Sequence, residues 1–272
     1  MAIFDYRGVK TRFVLEGKGP LVVLIHGVGA RLDNWDGVAS RLTNEYRVLR
    51  YDLRGHGEST RAPGPYSLPL LADDLKALLD HVGEAAANVA GHSLGGMIAQ
   101  MLALRHSGHV HRLALLSAVA GRTKEERERV AARIDLISTG DASEHFRNSI
   151  PRWFSDAFIA ANPNTIAAYA ARNASNDPAC YAAAYRVLAL EDLDSELDQI
   201  HVPTLVATGE HDLGSNVRMS ELMSRRIKGS TLRILPGLKH SILIEAPHVV
   251  ARMLAPFFVD AAVPDVAQLM AP

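Results

Sequence analysis

The pentapeptide Gly91-His92-Ser93-Leu94-Gly95 sets a serine where a strand must turn sharply into a helix, and few folds accommodate that. Before it, Ala87-Asn88-Val89-Ala90 reads as a short buried strand. After it, Met97, Ile98, Met101, Leu102 and Leu104 recur at helical spacing. A turn this tight brings the backbones on either side of the serine close together, where a Cβ would clash, so glycines are required there. The serine is left strained, with its hydroxyl lifted clear of the sheet, which is the geometry of a nucleophile elbow. Taken alone, the five residues also fit a glycine-rich turn carrying an incidental serine.

Two later clusters weigh against that bland reading. The apolar strand Thr204-Leu205-Val206-Ala207-Thr208 is followed by Gly209-Glu210-His211-Asp212. The strand Thr231-Leu232-Arg233-Ile234-Leu235 is followed by Pro236-Gly237-Leu238-Lys239-His240. An acid after one strand and a histidine after the next give the chain order Ser, Asp, His, and the expected catalytic residues are Ser93, Asp212 and His240. A serine hydroxyl is a poor nucleophile at neutral pH, so His240 is expected to act as its base. Asp212 is expected to hold the ring's tautomer and stabilise the imidazolium. Negative charge on a substrate carbonyl oxygen needs fixed donors. The Leu94 amide opens the helix after the serine, where backbone N–H groups are unpaired and the dipole favours an anion. The Val28 amide, in the loop His26-Gly27-Val28-Gly29-Ala30, is the expected second donor of the oxyanion hole.

The 272 residues fit one large α/β domain with an insertion. Residues 2–15 read as a hairpin around Arg7-Gly8, Leu21 to Ile25 as a central parallel strand, and Arg47 to Asp52 as the next. Trp35, Val38 and Leu42 mark one helix face, and Ser67 to Val82 forms a second helix. His111 to Leu116 is one more strand. Strands alternating with helices imply a mostly parallel central sheet with helices on both faces. The alternation breaks from about Gly121 to Leu190, where only helical patterns appear. The expected organisation is therefore a core over 1–120 and 191–272, with an inserted helical lid over 121–190. The charged run Thr123 to Arg133 reads as a solvated helix with no chemistry attached. The acidic run Glu191, Asp192, Asp194, Glu196 and Asp198 reads as an exposed return to the core. The tail beyond Ala261 gives no readable role.

A formal net charge of −1 gives no reason to expect nucleic acid or an anionic membrane as partner. The twelve histidines are scattered and form no ligand pattern, so no metal site is expected. His26, His56 and Asp52 precede the serine and are assigned to loop structure. Cys180 is the sole cysteine, which makes a cytosolic protein the default. Met1-Ala2-Ile3-Phe4-Asp5 reaches a charge too early for a signal peptide, and no run approaches the ~20 apolar residues of a membrane span. The expected partner is a small molecule, and oligomeric state, homo-oligomers included, stays open.

Over nearly its full length the chain resembles the α/β-hydrolase superfamily. The resemblance runs through His26-Gly27, Asp52-Leu53-Arg54-Gly55-His56-Gly57, Gly91-His92-Ser93-Leu94-Gly95-Gly96, Asp212 and His240. Within that superfamily it is most similar to the 3-oxoadipate enol-lactonases. That similarity rests on Arg50-Tyr51-Asp52-Leu53, Gly64-Pro65-Tyr66, Arg152-Trp153-Phe154 and Cys180-Tyr181-Ala182-Ala183. The resemblance implies the α/β-hydrolase fold and cofactor-free hydrolysis of a small carboxylic ester or lactone. If that substrate is anionic, a pocket arginine should meet it, and Arg31 and Arg152, with Trp153 beside the latter, are the expected substrate-binding residues. Amide or carbon–carbon bond hydrolysis, perhydrolase chemistry, and slow-turnover ligand reception remain alternatives on the same scaffold. A haloalkane dehalogenase or epoxide hydrolase would need aspartate at position 93.

Overall fold

A computed structural model describes residues 2–139 and 142–271. Eight strands make one sheet: β1 (Ala2–Tyr6), β2 (Val9–Glu16), β3 (Leu21–Ile25), β4 (Arg47–Tyr51), β5 (Ala87–His92), β6 (Val110–Leu116), β7 (Thr204–Gly209) and β8 (Thr231–Leu235). Their spatial order is β1-β2-β4-β3-β5-β6-β7-β8. The β1–β2 and β2–β4 pairs are antiparallel, and every later pair is parallel. The opening hairpin turns on Arg7 and Gly8, both at positive φ, with the Gly8 amide donating to Asp5 Oδ1 at 3.1 Å. That is the primed turn whose twist suits two-residue hairpins.

The parallel strands are buried on both faces, which explains their unbroken apolar runs. Val23, Ile25, Leu49, Val89, Leu113 and Val206 point to one side. There they meet α2 (Leu68–His81), α3 (Leu94–Arg105) and α9 (Val217–Arg226). Val22, Leu24, Val48, Ala90, Ala114 and Leu205 point to the other side. They pack on α1 (Asp36–Leu42) and α11 (Pro247–Phe258), the latter preceded by the single turn α10 (Ile242–Glu245). Helix α2 begins where expected because Ser67 Oγ accepts the Leu70 amide and Pro69 sits in the first turn.

Between β6 and β7 lie five further helices: α4 (Lys124–Thr139), α5 (Ala142–Trp153), α6 (Asp156–Ala161), α7 (Pro163–Ala174) and α8 (Pro178–Leu190). Val130, Ile134 and Ile137 of α4 pack with Tyr181, Tyr185 and Ala189 of α8 in a separate apolar cluster. The charged run is thus solvated on one side only, and the expectation of a wholly solvent-facing helix fails. The stripe at 130, 134 and 137 is the reason, since it has helical spacing and must be covered.

The acidic run after α8 is more than an exposed return. Glu191 accepts the Leu68 amide at the start of α2. Asp192 accepts the amides of Gly121, Arg122 and Asp194 at 2.8, 3.1 and 3.1 Å, so one carboxylate clamps both ends of the insertion. The tail is also docked. Its last helix, α12 (Val266–Met270), buries Leu269 fully, and Arg233 donates to the carbonyls of Pro264 and Val263.

Replacing Asp192 with alanine strands several partly buried amides. We expect a loss of about 2 kcal/mol in unfolding free energy. Limited proteolysis should cut faster near 121–123 and 190–193; urea melts and cleavage rates equal to wild type would refute the clamp.

Candidate active site

Ser93 is held at φ 57°, a left-handed region that few non-glycine residues enter. Its amide donates to the Leu116 carbonyl at 3.0 Å, and its own carbonyl accepts the amides of Gly96 and Met97. The two glycines of the elbow are mandatory on distance alone. A Cβ on Gly91 would lie 2.1 Å from the Gly95 carbonyl oxygen, and one on Gly95 would lie 2.3 Å from that of Ile25. The turn therefore closes only where β5, α3 and the end of β3 touch backbone to backbone, and that contact pushes the Ser93 side chain outward.

Asp212 follows β7 and is fully enclosed. Its Oδ1 accepts the amides of Gly214 and Ser215, both at 2.9 Å, and its Oδ2 meets His240 Nδ1 at 2.7 Å. Burial alone would raise this carboxyl's pKa. The charge and hydrogen bond of His240, with the two amides, outweigh it and hold the group below the ordinary carboxylate range. The Nδ1–H therefore points at a carboxylate, which leaves Nε2 facing the cavity as the basic nitrogen. Ser93 and His240 line that same cavity. No hydrogen bond joins the Ser93 hydroxyl to the imidazole among the described residues, a looseness common in unliganded hydrolytic sites.

The His240 segment is fixed from both sides by contacts the sequence did not announce. The His92 ring donates from Nε2 to the His240 carbonyl at 2.9 Å, with ring centroids 4.8 Å apart. The Ser241 amide donates to the Trp153 carbonyl at 2.8 Å, and Lys239 Nζ donates to the Pro151 carbonyl at 2.8 Å. His240 thus sits between the elbow and the C-terminal end of α5.

The loop after β3 passes beside the serine: a Cβ on Gly27 would lie 3.0 Å from Ser93 Cβ and 3.5 Å from Ser93 Oγ. Val28 lines the cavity. Leu94 does not; its side chain is in the core, and only its amide, first in α3, has no carbonyl one turn earlier to receive it. His26 braces this loop, donating from Nδ1 to the Gly27 carbonyl at 2.8 Å and accepting the Leu53 amide on Nε2 at 3.0 Å. Asp52 is likewise structural, accepting the amides of Leu32 and Glu58.

The cavity has a volume of about 130 Å³. The inserted helices supply aromatic walls from Trp153, Tyr169, Tyr181 and Tyr185, and the arginines Arg133 and Arg152; a third arginine, Arg122, comes from the segment just before α4. Of the three residues expected to meet a substrate, Arg152 and Trp153 line this cavity. Arg31 does not: it donates to Ser175 Oγ at 2.6 Å and to the Arg172 carbonyl, and so props the end of α7. Following directly on the His26–Ala30 loop does not bring its head inward, because the chain turns there into the helical turn Leu32–Trp35. Arg122 and Arg133 were missed. The signal for Arg133 was its place next to the 130/134/137 stripe, within a run that charge alone made look fully solvated.

With this geometry in view, comparison with known proteins gives the family. Residues 20–247 match the family described as alpha/beta hydrolase fold. The chain belongs to it. This α/β hydrolase is 28% identical over 228 residues to 3-oxoadipate enol-lactonase 2 of Acinetobacter baylyi, covering 84% of each chain. It is 29% identical over 238 residues to the (E)-2-((N-methylformamido)methylene)succinate hydrolase of the same organism, covering 86% of this chain and 89% of the relative. Among solved structures it resembles the enol-lactonase from Burkholderia xenovorans LB400, with TM-score 0.90, 28% identity, and coverage of 95% and 100%. Among the described residues of this α/β hydrolase, no helix is long and apolar enough to cross a membrane.

Burial, helped by neighbouring charge, lowers the pKa values of His26 and His92 to about 3. Both stay neutral in the folded state while their unfolded counterparts protonate near 6.5, so the unfolded state binds more protons as pH falls. Stability due to these groups is full above pH 6.5 and drains away below it. We expect unfolding free energy to drop by about 4 kcal/mol between pH 7 and pH 5 for the pair. His26→Gln should shrink that drop in denaturant melts, and an unchanged pH slope would contradict the assignment.

Proposed function

We propose that the protein hydrolyses a small carboxylic ester or lactone through an acyl-enzyme on Ser93. The observation that carries this reading is a strained elbow serine sharing one cavity with a histidine whose far nitrogen is fixed by a buried carboxylate. His240 Nε2 takes the Ser93 proton as Oγ attacks the substrate carbonyl carbon. The amides of Val28 and Leu94 receive the oxyanion, a term worth ~10²–10³ in turnover for each donor. Collapse of the tetrahedral intermediate breaks the carbonyl–alkoxy bond, and His240 returns the proton to the departing oxygen. In a lactone that oxygen stays tethered to the acyl group. Water, deprotonated by the same imidazole, then releases the acid and restores Ser93.

The similarity to enol-lactonases supports a carboxylate-bearing substrate, and the cationic pocket agrees with it. Arg152 and Trp153 together would hold a carboxylate against an aromatic wall, the guanidinium supplying a two-pronged donor. The reading requires no metal or organic cofactor, and the compartment in keeping with one free cysteine is the cytosol.

Ser93→Ala should lower turnover of p-nitrophenyl acetate by about a million-fold, and Asp212→Asn by about ten-thousand-fold. A fluorophosphonate should add covalently to the peptide containing Ser93, as read by mass spectrometry. Retention of more than a tenth of the wild-type rate in Ser93→Ala, or labelling elsewhere, would refute this nucleophile.

A further inference from the structure

The charges on the cavity wall do not balance. Three guanidinium groups, those of Arg122, Arg133 and Arg152, line it, whereas its single carboxylate among the described residues, Asp212, is spent on His240. None of the three arginines forms an ion pair among the described residues. Arg122 is 5% exposed and gives one hydrogen bond, from Nη1 to the Leu188 carbonyl at 2.6 Å, while its buried Nε has no partner there. Arg152 bonds only the neutral Ser149 hydroxyl. Half-buried cations left without anions are costly unless a ligand supplies the missing charge.

Burial lowers the pKa of Arg122, Asp192 and Glu126 act against this, and the charge of Arg133 adds to the lowering. Burial also lowers that of Arg152, with the charge of Arg133 as the second cause. Arg133 therefore acts on both of the other heads, one just ahead of α4 and one at the C-terminal end of α5. Arg122 is partly offset by its nearby acids, whereas only tyrosines oppose the lowering at Arg152. Among the described residues no carboxylate pairs with any of the three, on a wall that also presents Val130 and Leu188.

We propose that the natural substrate carries two carboxylates besides its scissile ester or lactone bond, held among the guanidinium groups of Arg122, Arg133 and Arg152. This rests on the hydrolytic reading for its chemistry, but the anion count can be measured without turnover. Two carboxylates on an apolar spacer can each meet a different guanidinium and lay the spacer on Val130 and Leu188, whereas a compact phosphate has no spacer to bury. Hydrolysis of a lactone would open it to a hydroxy-acid, or of an enol-lactone to an oxo-acid, with a third carboxylate; an open ester would leave that carboxylate on the acyl fragment and release a separate alcohol.

The test is calorimetric titration of the whole protein at fixed ionic strength with glutarate, valerate and inorganic phosphate. Glutarate and valerate share a five-carbon chain and differ by one carboxylate. Glutarate is expected to bind at least tenfold tighter than valerate and tighter than phosphate. Arg133→Gln is expected to bring glutarate and valerate within threefold of each other, and Arg133→Lys to keep a preference above threefold. Equal binding of the two acids by the wild type, tighter phosphate than glutarate, or an unchanged ratio in Arg133→Gln would overturn the proposal. Failure of fluorophosphonate to label Ser93 would instead strike the hydrolytic reading and leave the binding ratio as it stands.

Discussion

Everything at this site depends on three backbones touching with no side chain between them. Where β5 turns into α3, Gly91 faces the Gly95 carbonyl and Gly95 faces that of Ile25, at separations no Cβ could occupy. The contact fixes the end of β3, the end of β5 and the first turn of α3 as one rigid corner. Ser93 is strained there because the corner leaves its backbone no other course, and the hydrogen bonds of its amide and carbonyl hold it. The same corner aligns the Leu94 amide and brings the Gly27–Val28 backbone past the serine. The Ser93 hydroxyl and the proposed oxyanion donors are therefore set by one packing constraint rather than by separate adjustments.

Asp212 and His240 arrive by a different route, on loops after β7 and β8. Loops are less constrained than a strand-to-helix corner. Their precision comes from added hydrogen bonds: two amides on Asp212 Oδ1, Asp212 on His240, and His92 on the His240 carbonyl. The low pKa of His92 keeps the bracing ring uncharged beside the imidazole that accepts a proton in the proposed mechanism. A second cation in that position would oppose formation of the imidazolium.

The fold was largely legible because its signals are local and periodic. Glycine pairs, unbroken apolar strands and the helix starting at Ser67 each read correctly from a handful of adjacent residues. The order of Ser93, Asp212 and His240 also lay open to view, since each follows a recognisable strand. What sequence concealed depends on packing between distant segments. Arg31 and Arg133 illustrate this in opposite directions. Proximity in sequence to the oxyanion loop favoured Arg31, yet a helical turn carries its head toward Ser175. A crowd of charged neighbours disguised Arg133, yet the stripe of Val130, Ile134 and Ile137 rolls α4 so that this arginine meets the cavity. The roles of Asp192 and His92 were hidden for the same reason, each bonding partners more than 60 residues away.

The bonds from Ser241 to the Trp153 carbonyl and from Lys239 to the Pro151 carbonyl have a consequence for how such a scaffold can change. They sew the His240 segment to the very segment that walls the cavity. Displacing α5 to admit a bulkier guest drags on that imidazole, so on the proposed mechanism selectivity and reactivity cannot be altered independently there. A chimera grafting foreign helices between β6 and β7 must bring replacement carbonyls for those two stitches. Without them, the graft inherits an intact elbow and an unmoored His240.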